Sequence, residues 1–353
     1  MARHLQSLFE VDAVLTAVVP LHVGNSDTEM AQDAPLACNG AGNPYLPGTS
    51  LAGPLRAWWR EAFGNVAGWG DESDEYGYAS LISVEDAPAI LDGGVPELRD
   101  GVGIDRFTGA AAKNIKYDRQ ILPAGTTFGF KLRLEVPAKA DKDEPVPFLQ
   151  PDQWLKRLSG MMRALEAGHI RFGAGKTRGF GRVEASDIVI IRHELNTADG
   201  ILARLTGDSP KLDWTKVAPE QLPNRVVLLV NWRATSPVMN NSGLNGLAID
   251  AFPLTTGSRA ERLAVLTGAS IKGVLRSQAE RIWRTLDGRS GADQTPNHLK
   301  QIELELVEPL FGGPGKAESQ MRRRKTKRTR KKNQPAGQAL ARWVWTIACS
   351  GQA

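Results

Sequence analysis

Residues 48–56 read GTSLAGPLR and residues 268–276 read GASIKGVLR. Gly48/Gly268, Ser50/Ser270, Gly53/Gly273 and Arg56/Arg276 coincide at one offset of 220 residues. Working outward from each copy, the same order appears. Val11 to Val23 alternates at period two, with Val11, Ala13, Leu15, Ala17, Val19, Leu21 and Val23 on one face, which predicts a half-buried strand. RVVLLVNW at 225–232 repeats that strand-like signal. Between strand and helix lies a polar, glycine-bearing loop, and each loop carries an aspartate: Asp33 in AQDAPL and Asp250 in AIDAFPL, at an offset of 217 residues. The chain is an internal duplication.

The repeated element has a physical reading. Gly48 or Gly268 permits a tight turn, and Ser50 or Ser270 can cap the helix that follows, SLAGPLRAWWREAFG in the first copy. The unpaired N–H groups of such a helix end attract phosphate, and Arg56 or Arg276 adds a charged contact further in. Trp58 and Trp59 are neighbours on this helix and so cannot both face the same core, which predicts one partly exposed. A second helix is predicted from Gln153 to Gly168 on the spacing of Trp154, Leu158, Met161 and Leu165. After it comes RFGAGKTRGFGR at 171–182, where four glycines stand beside Lys176, Arg178 and Arg182. Glycines let a backbone approach a phosphodiester closely, and the cations attract it. GAGKT is not a nucleotide-binding P-loop, because the glycine that motif needs six residues before the lysine is Ile170, and a helix rather than a strand precedes it.

Composition narrows the remaining choices. The 353 residues hold 44 Lys and Arg against 39 Asp and Glu, a formal charge of +5. Nine of the basic residues sit in RRRKTKRTRKK at 322–332, and without them the balance is 35 to 39. The body is therefore slightly acidic, and a nucleic-acid surface must be a local patch. No apolar run approaches a membrane span, the start of the chain lacks an apolar signal segment, and Cys38 and Cys349 form no disulfide or zinc pattern, so a cytoplasmic protein is expected. His4, His22, His169, His193 and His298 show no ligand spacing.

LHVG, a loop aspartate, NPYLPGTSLAGPLR and then GAGKTRGFGRVE, in that order, resemble the RAMP proteins of CRISPR–Cas systems, in particular the repeated backbone subunits of type III RNA-targeting effector complexes and the tandem fusions of types III-D and III-E. The resemblance implies an α+β fold of tandem ferredoxin-like, RRM-related domains, each gripping a few nucleotides of CRISPR RNA. It also implies a thumb hairpin, matched by IDRFTGAAAKNIKYDRQIL at 104–122. On the same ground Asp33 and Asp250 are the expected residues for Mg²⁺-dependent cleavage of target RNA, both as catalytic groups and as metal ligands. The guide-binding role falls on Ser50, Arg56, Lys176, Arg178, Ser270, Lys272 and Arg276, with Arg182 beside them in the glycine-rich segment. The expected partners are CRISPR RNA, target RNA and other subunits of the effector complex.

Two departures stand out. Ala52 takes the place of a lysine frequent in the family, which Lys272 keeps in the second copy. The span from Asp33 to Gly181, counted again from Asp250, runs past residue 353, so the second copy is expected to be incomplete. The expected division is a first domain at 1–193, a linker at 194–224, a partial second domain at 225–318 and a basic tail at 319–353, read either as a disordered RNA-contacting arm or as a solvated extension. Two other functions stay open: a guide-binding subunit in which the aspartates are turn formers, and a guide-processing endoribonuclease, which would need a histidine base.

Overall fold

A strand that is apolar on alternate residues can pair along both edges and bury one face beneath helices, and the first strand does this. The structure, a computed structural model, describes residues 4–24, 33–72, 77–92, 94–139, 148–220, 223, 230–231, 233–243, 250–256, 263–295 and 300–313. Its elements in chain order are β1 (Leu5–Ala17), β2 (Tyr45–Leu46), α1 (Gly48–Phe63), β3 (Asp71–Glu72), β4 (Gly77–Tyr78), β5 (Ile82–Val84) and β6 (Ala87–Ile90). Then follow β7 (Glu97–Ile104), β8 (Ala111–Ile121), β9 (Thr127–Pro137), α2 (Pro151–Glu166), β10 (Val183–Glu194), α3 (Ala198–Thr206) and β11 (Lys211–Leu212). The last are β12 (Thr255–Thr256), β13 (Leu263–Ala264), α4 (Gly268–Leu286) and α5 (Glu308–Phe311). The described residues of Met1–Arg99, Asp118–Arg225 and Ser242–Val265 form one compact unit, and those of Asp100–Tyr117, Val226–Asn241 and Leu266–Ala353 another.

In the first unit β1 lies between β9 and β10, antiparallel to both, with Val11 opposite Leu132 and Leu15 opposite Phe128 and Ala185. The sheet order is β11-β10-β1-β9-β6-β2, with β5 also on β9. Taking β5 and β6 together as the second strand, the path β1-α1-β5/β6-β9-α2-β10 is the β-α-β-β-α-β order of a ferredoxin-like domain. Phe9, Val11 and Leu15 of β1 share a core with Phe128, Phe130 and Leu132 of β9, covered by Leu51, Leu55 and Trp59 of α1 and by Trp154, Leu158 and Met161 of α2. The opposite face carries charge, including the Arg133–Glu10 and Arg133–Glu85 pairs at 3.4 and 3.3 Å. The fold is the α+β class that the resemblance implies.

Several local expectations need correction. The first strand runs from Leu5 to Ala17, not Val11 to Val23, and the chain leaves the ladder before Pro20, which has no N–H to give. Helix α1 starts at Gly48 after Pro47, so Ser50 lies inside the first turn and does not cap it. Gly48 is required for close approach rather than for a turn, because a Cβ there would collide with the Val84 carbonyl oxygen. In the second copy Thr267 is the cap, accepting from the Ser270 amide at 3.2 Å. Trp58 and Trp59 are both buried: the segment after α1 wraps back, so that Trp59 lies 6.2 Å from Trp69 and 6.0 Å from Trp154 between ring centroids, while Trp58 meets Phe63 edge-on at 5.9 Å.

The expected linker at 194–224 is structured through residue 220. Thr197 caps α3, and β11 pairs with β10. Trp214 is buried in the first core, with its Nε1–H donating to Ile188 O at 3.2 Å. Arg157 of α2 binds Glu220 at 2.7 and 3.0 Å. A nine-residue helix leaves too short a periodic signal to read in sequence, and Trp214 gives no pattern of its own. Most of the second strand-like stretch at 225–232, and all of the tail at 319–353, lie outside the described residues.

The second unit is organised around a carboxylate. Glu280 of α4 is fully buried and pairs with Arg276 Nε at 2.7 Å, Arg106 Nε at 2.9 Å and Arg284 at 3.8 Å. Gln301 adds a bond from the Arg106 amide at 2.9 Å and donates to Asp105 at 2.9 Å, so the tip of the β7–β8 hairpin is held against α4. A small apolar cluster of Leu304, Val307 and Phe311 packs beside it with Trp283.

A linker would tolerate loss of Trp214, whereas a core residue would not. Trp214→Ala is expected to lower the unfolding free energy of the first unit by about 3–5 kcal/mol, measured by urea denaturation.

Candidate nucleic-acid interface

The site is built where β1 ends and β10 begins. Leu21 and Leu122 exchange backbone hydrogen bonds at 2.9 and 2.8 Å, which fixes the base of the β7–β8 hairpin beside the chain leaving β1. From there residues 118–120 of β8 pin the aspartate loop. The Asp33 amide donates to Asp118 Oδ1 at 2.8 Å, and the Asp118 amide donates to Asp33 Oδ2 at 3.1 Å. The Gln120 amide donates to Ala34 O at 3.0 Å, and Gln120 Oε1 accepts from the Leu36 amide at 3.1 Å.

Strand alternation sends the intervening residue the other way. Arg119 lies over the buried Phe180 ring at 6.0 Å, and Arg99 of β7 lies over the same ring at 5.9 Å. Phe180 belongs to the glycine-rich segment, so two guanidinium groups sit where that segment turns. Arg99 is itself buried; burial pushes its pKa below the ordinary arginine value, and Glu97 at 3.4 Å offsets only part of this. Lys176, Thr177 and Arg178 form an exposed single turn, framed by Gly173, Gly175, Gly179 and Gly181, all with positive φ. At Gly173 both constraints act, because a Cβ would collide with the His22 carbonyl oxygen and φ is +74°. That glycine is needed by the fold itself, whatever approaches from outside.

His22 joins the two loops. Its carbonyl accepts from the Ala174 amide at 2.8 Å, and its Nδ1 pairs with Gln120 O at 2.6 Å. The ring is buried, and that burial outweighs the bond to Gln120 and pushes its pKa below the ordinary value. The neutral ring with Nδ1–H donating is therefore the folded form.

The sequence-predicted residues divide into groups. Asp33, Lys176 and Arg178 are exposed and lie on the two loops that the hairpin base and His22 connect. Arg182 is paired with Glu184 at 2.6 Å. Arg56 donates to Gly70 O at 2.9 Å, holding the segment that wraps α1. At the start of α1 the Gly48 amide donates to Asp86 Oδ1 at 2.6 Å, so a carboxylate of the protein already faces that helix end. Ser50 is partly buried in the following turn. In the second copy Arg276 is committed to Glu280 and to Ile302 O and Gly312 O at 3.0 and 2.8 Å. Ser270 donates to Asn240 at 3.1 Å, Lys272 is partly buried and Asp250 is exposed. Asp118, Arg119, Gln120, Arg99 and Phe180 escaped the sequence reading, since they belong to no repeated motif; the charge of YDRQ at 117–120 within the hairpin was the one available cue.

Among the described residues no three His, Cys, Asp or Glu side chains gather as a metal cluster, and no helix is long and apolar enough to cross a membrane. Mg²⁺ prefers hard oxygen ligands and is commonly held by one or two carboxylates together with substrate phosphates. Asp33 fits that role, since its Oδ1 lies outside the reciprocal pair with Asp118.

A sequence model of the RAMP superfamily matches residues 14–184 and 253–336. The two matches fall on the two copies, and the chain belongs to this superfamily of CRISPR-associated, RNA-binding proteins. Asp33 lies inside the first match, Asp250 lies just ahead of the second, and the second runs on through the basic segment at 322–332. A search of the curated proteins finds no match.

Because His22 is held neutral, the unfolded chain takes up its proton more readily than the folded one. Its contribution to stability is complete above about pH 6.5, the ordinary histidine value, and is lost as pH falls below it. In urea titrations from pH 7.5 to 5, His22→Asn is expected to remove part of the acid-side loss of stability.

Proposed function

We propose that this chain is a guide-binding backbone subunit of a type III CRISPR effector complex, and that it cleaves the paired target RNA from its aspartate loops. The observation that carries this reading is the double use of the hairpin base: Asp118 and Gln120 hold the Asp33 loop, while Arg119 reaches the glycine-rich turn. A carboxylate and a set of phosphate-attracting groups thereby share one end of one sheet. Lys176 and Arg178 supply charge to the RNA backbone on a body whose overall balance is slightly acidic.

Cleavage follows from RNA's own chemistry. The 2′-oxygen attacks the adjacent phosphorus, the P–O5′ bond breaks, the 2′ proton passes to a base and the departing 5′-oxygen gains one. The products are a 2′,3′-cyclic phosphate and a 5′-hydroxyl. Mg²⁺ held by Asp33 and by phosphate oxygens would neutralise the charge that builds on the phosphoryl group. The chain's own part is to align the 2′-hydroxyl against the scissile bond and to hold Asp33 at it, an entropic contribution realised before reaction. Asp250 marks the corresponding point in the second copy, with Ser270 and Lys272 as guide contacts.

Gly53 and Gly273 support an external RNA partner. Each lies inside a helix, where glycine is less favourable than alanine by about 1 kcal/mol, and among the described residues a Cβ at either would meet nothing within 4 Å. Internal packing therefore gives no reason to keep glycine at both, whereas close passage of a nucleic-acid backbone does. Gly53→Ala is expected to raise thermal stability slightly while weakening guide RNA binding severalfold, read by melting and filter binding on one preparation.

A non-catalytic guide-binding subunit is favoured by one observation, that Asp33 and Asp118 cap each other's amides as turn residues do. The two readings part on a single assay. In the assembled complex, Asp33→Ala and Asp250→Ala are each expected to abolish one set of target cuts while guide binding persists; retention of every cut in the double variant overturns the catalytic reading.

A further inference from the structure

Asp33 sits on an exposed loop, and a loop carboxylate that must meet a scissile bond needs something to fix it. The loop's own sequence, AQDAPLACNGAGNP, offers no helix or strand to do so. At Asp33 the fixing groups come from β8, while further along Val23 O accepts from the Ala37 amide at 2.8 Å. Asp118 accepts the Asp33 amide at 2.8 Å through Oδ1, and its own amide reaches Asp33 Oδ2 at 3.1 Å. The first bond sets the backbone of the loop and the second sets the carboxylate, so the rotation of the Asp33 side chain is defined from both ends. Gln120, two residues on, holds the loop again at Ala34 and Leu36. Residues two apart on a strand share a face, which is why the Asp118 and Gln120 side chains reach one loop while Arg119 lies over Phe180.

We infer that Asp118 is the positioning residue of Asp33, acting through its Oδ1 as a hydrogen-bond acceptor rather than through its charge. This rests on the proposed cleavage at Asp33. An asparagine at 118 keeps Oδ1 and the backbone amide, and so keeps both bonds; an alanine keeps only the second. Misplacement of a reacting group by a fraction of an ångström to an ångström reduces turnover by about tenfold to hundredfold.

The experiment compares Asp33→Ala, Asp118→Ala and Asp118→Asn in the assembled, guide-loaded complex, with target cleavage and guide affinity measured in parallel. Amide exchange at Asp33 is followed separately on the full chain by residue-resolved mass spectrometry. Asp118→Ala is expected to lower kcat by about tenfold to hundredfold with KM and guide affinity unchanged, and to speed exchange at the Asp33 amide about tenfold. Asp118→Asn is expected to stay within about threefold of the parent in both measurements, since the acceptor is retained. The inference is overturned if Asp118→Ala leaves exchange at Asp33 unchanged, or if Asp118→Asn is as damaging as Asp118→Ala, which would assign the effect to charge. If Asp33→Ala itself cleaves normally, the catalytic reading fails, while the exchange data still decide whether Asp118 holds the loop.

Discussion

The candidate site of the first unit is held by three consecutive residues of one strand that reach two loops. Asp118, Arg119 and Gln120 alternate their side chains, two toward the aspartate loop and one toward Phe180. Hydrogen bonds between side chain and backbone individually contribute about 1 kcal/mol, so no single one of them fixes the site. Their value lies in being consecutive. A β-ladder is rigid along its length, and each bond made from it inherits that rigidity. His22 then transmits the same reference to the glycine-rich turn through Ala174, so that two loops 140 residues apart in sequence, at Asp33 and Gly173, are set against one frame.

The sheet explains why this frame is available. β1 is the central strand between β9 and β10, and its end is where three backbone segments converge: the chain leaving β1, the start of β10 and the return from the hairpin. A ferredoxin-like order leaves that end of the sheet free of helix, because α1 and α2 cover a face rather than an end. Loops placed there can carry polar groups without sacrificing core packing, which is the ordinary division of labour between scaffold and site.

The outlines of this arrangement were legible in the sequence. Alternation marked β1, helical spacing marked α2, and duplication drew attention to Asp33 against the strong prior that a loop aspartate is only a turn former. What the sequence concealed was reciprocity. Asp86 in a short loop faces the α1 terminus that the pattern assigned to phosphate, and Glu280 claims Arg276. A motif records which residues recur and not what their partners are, so the two arginines of the repeat, Arg56 and Arg276, read alike and are engaged differently. Asp118 has no counterpart at a fixed offset, and nothing short of the fold brings it to the aspartate loop or Arg119 to Phe180. Trp58 and Trp59 misled for a similar reason: periodicity treats a helix as having one covered side, whereas the segment through Trp69 covers a second.

The ion cluster of the second unit has a consequence for heat. Its apolar cluster is small, three buried side chains around Phe311, while Glu280 gathers three guanidinium groups. Water's hold on isolated charges weakens as temperature rises, so the cost of drying such a cluster shrinks on warming, while the contribution of apolar burial levels off. Among its described residues the second unit therefore leans on a contact whose cost falls on warming, and the first on apolar burial, whose contribution levels off. One chain thus carries two different thermal responses.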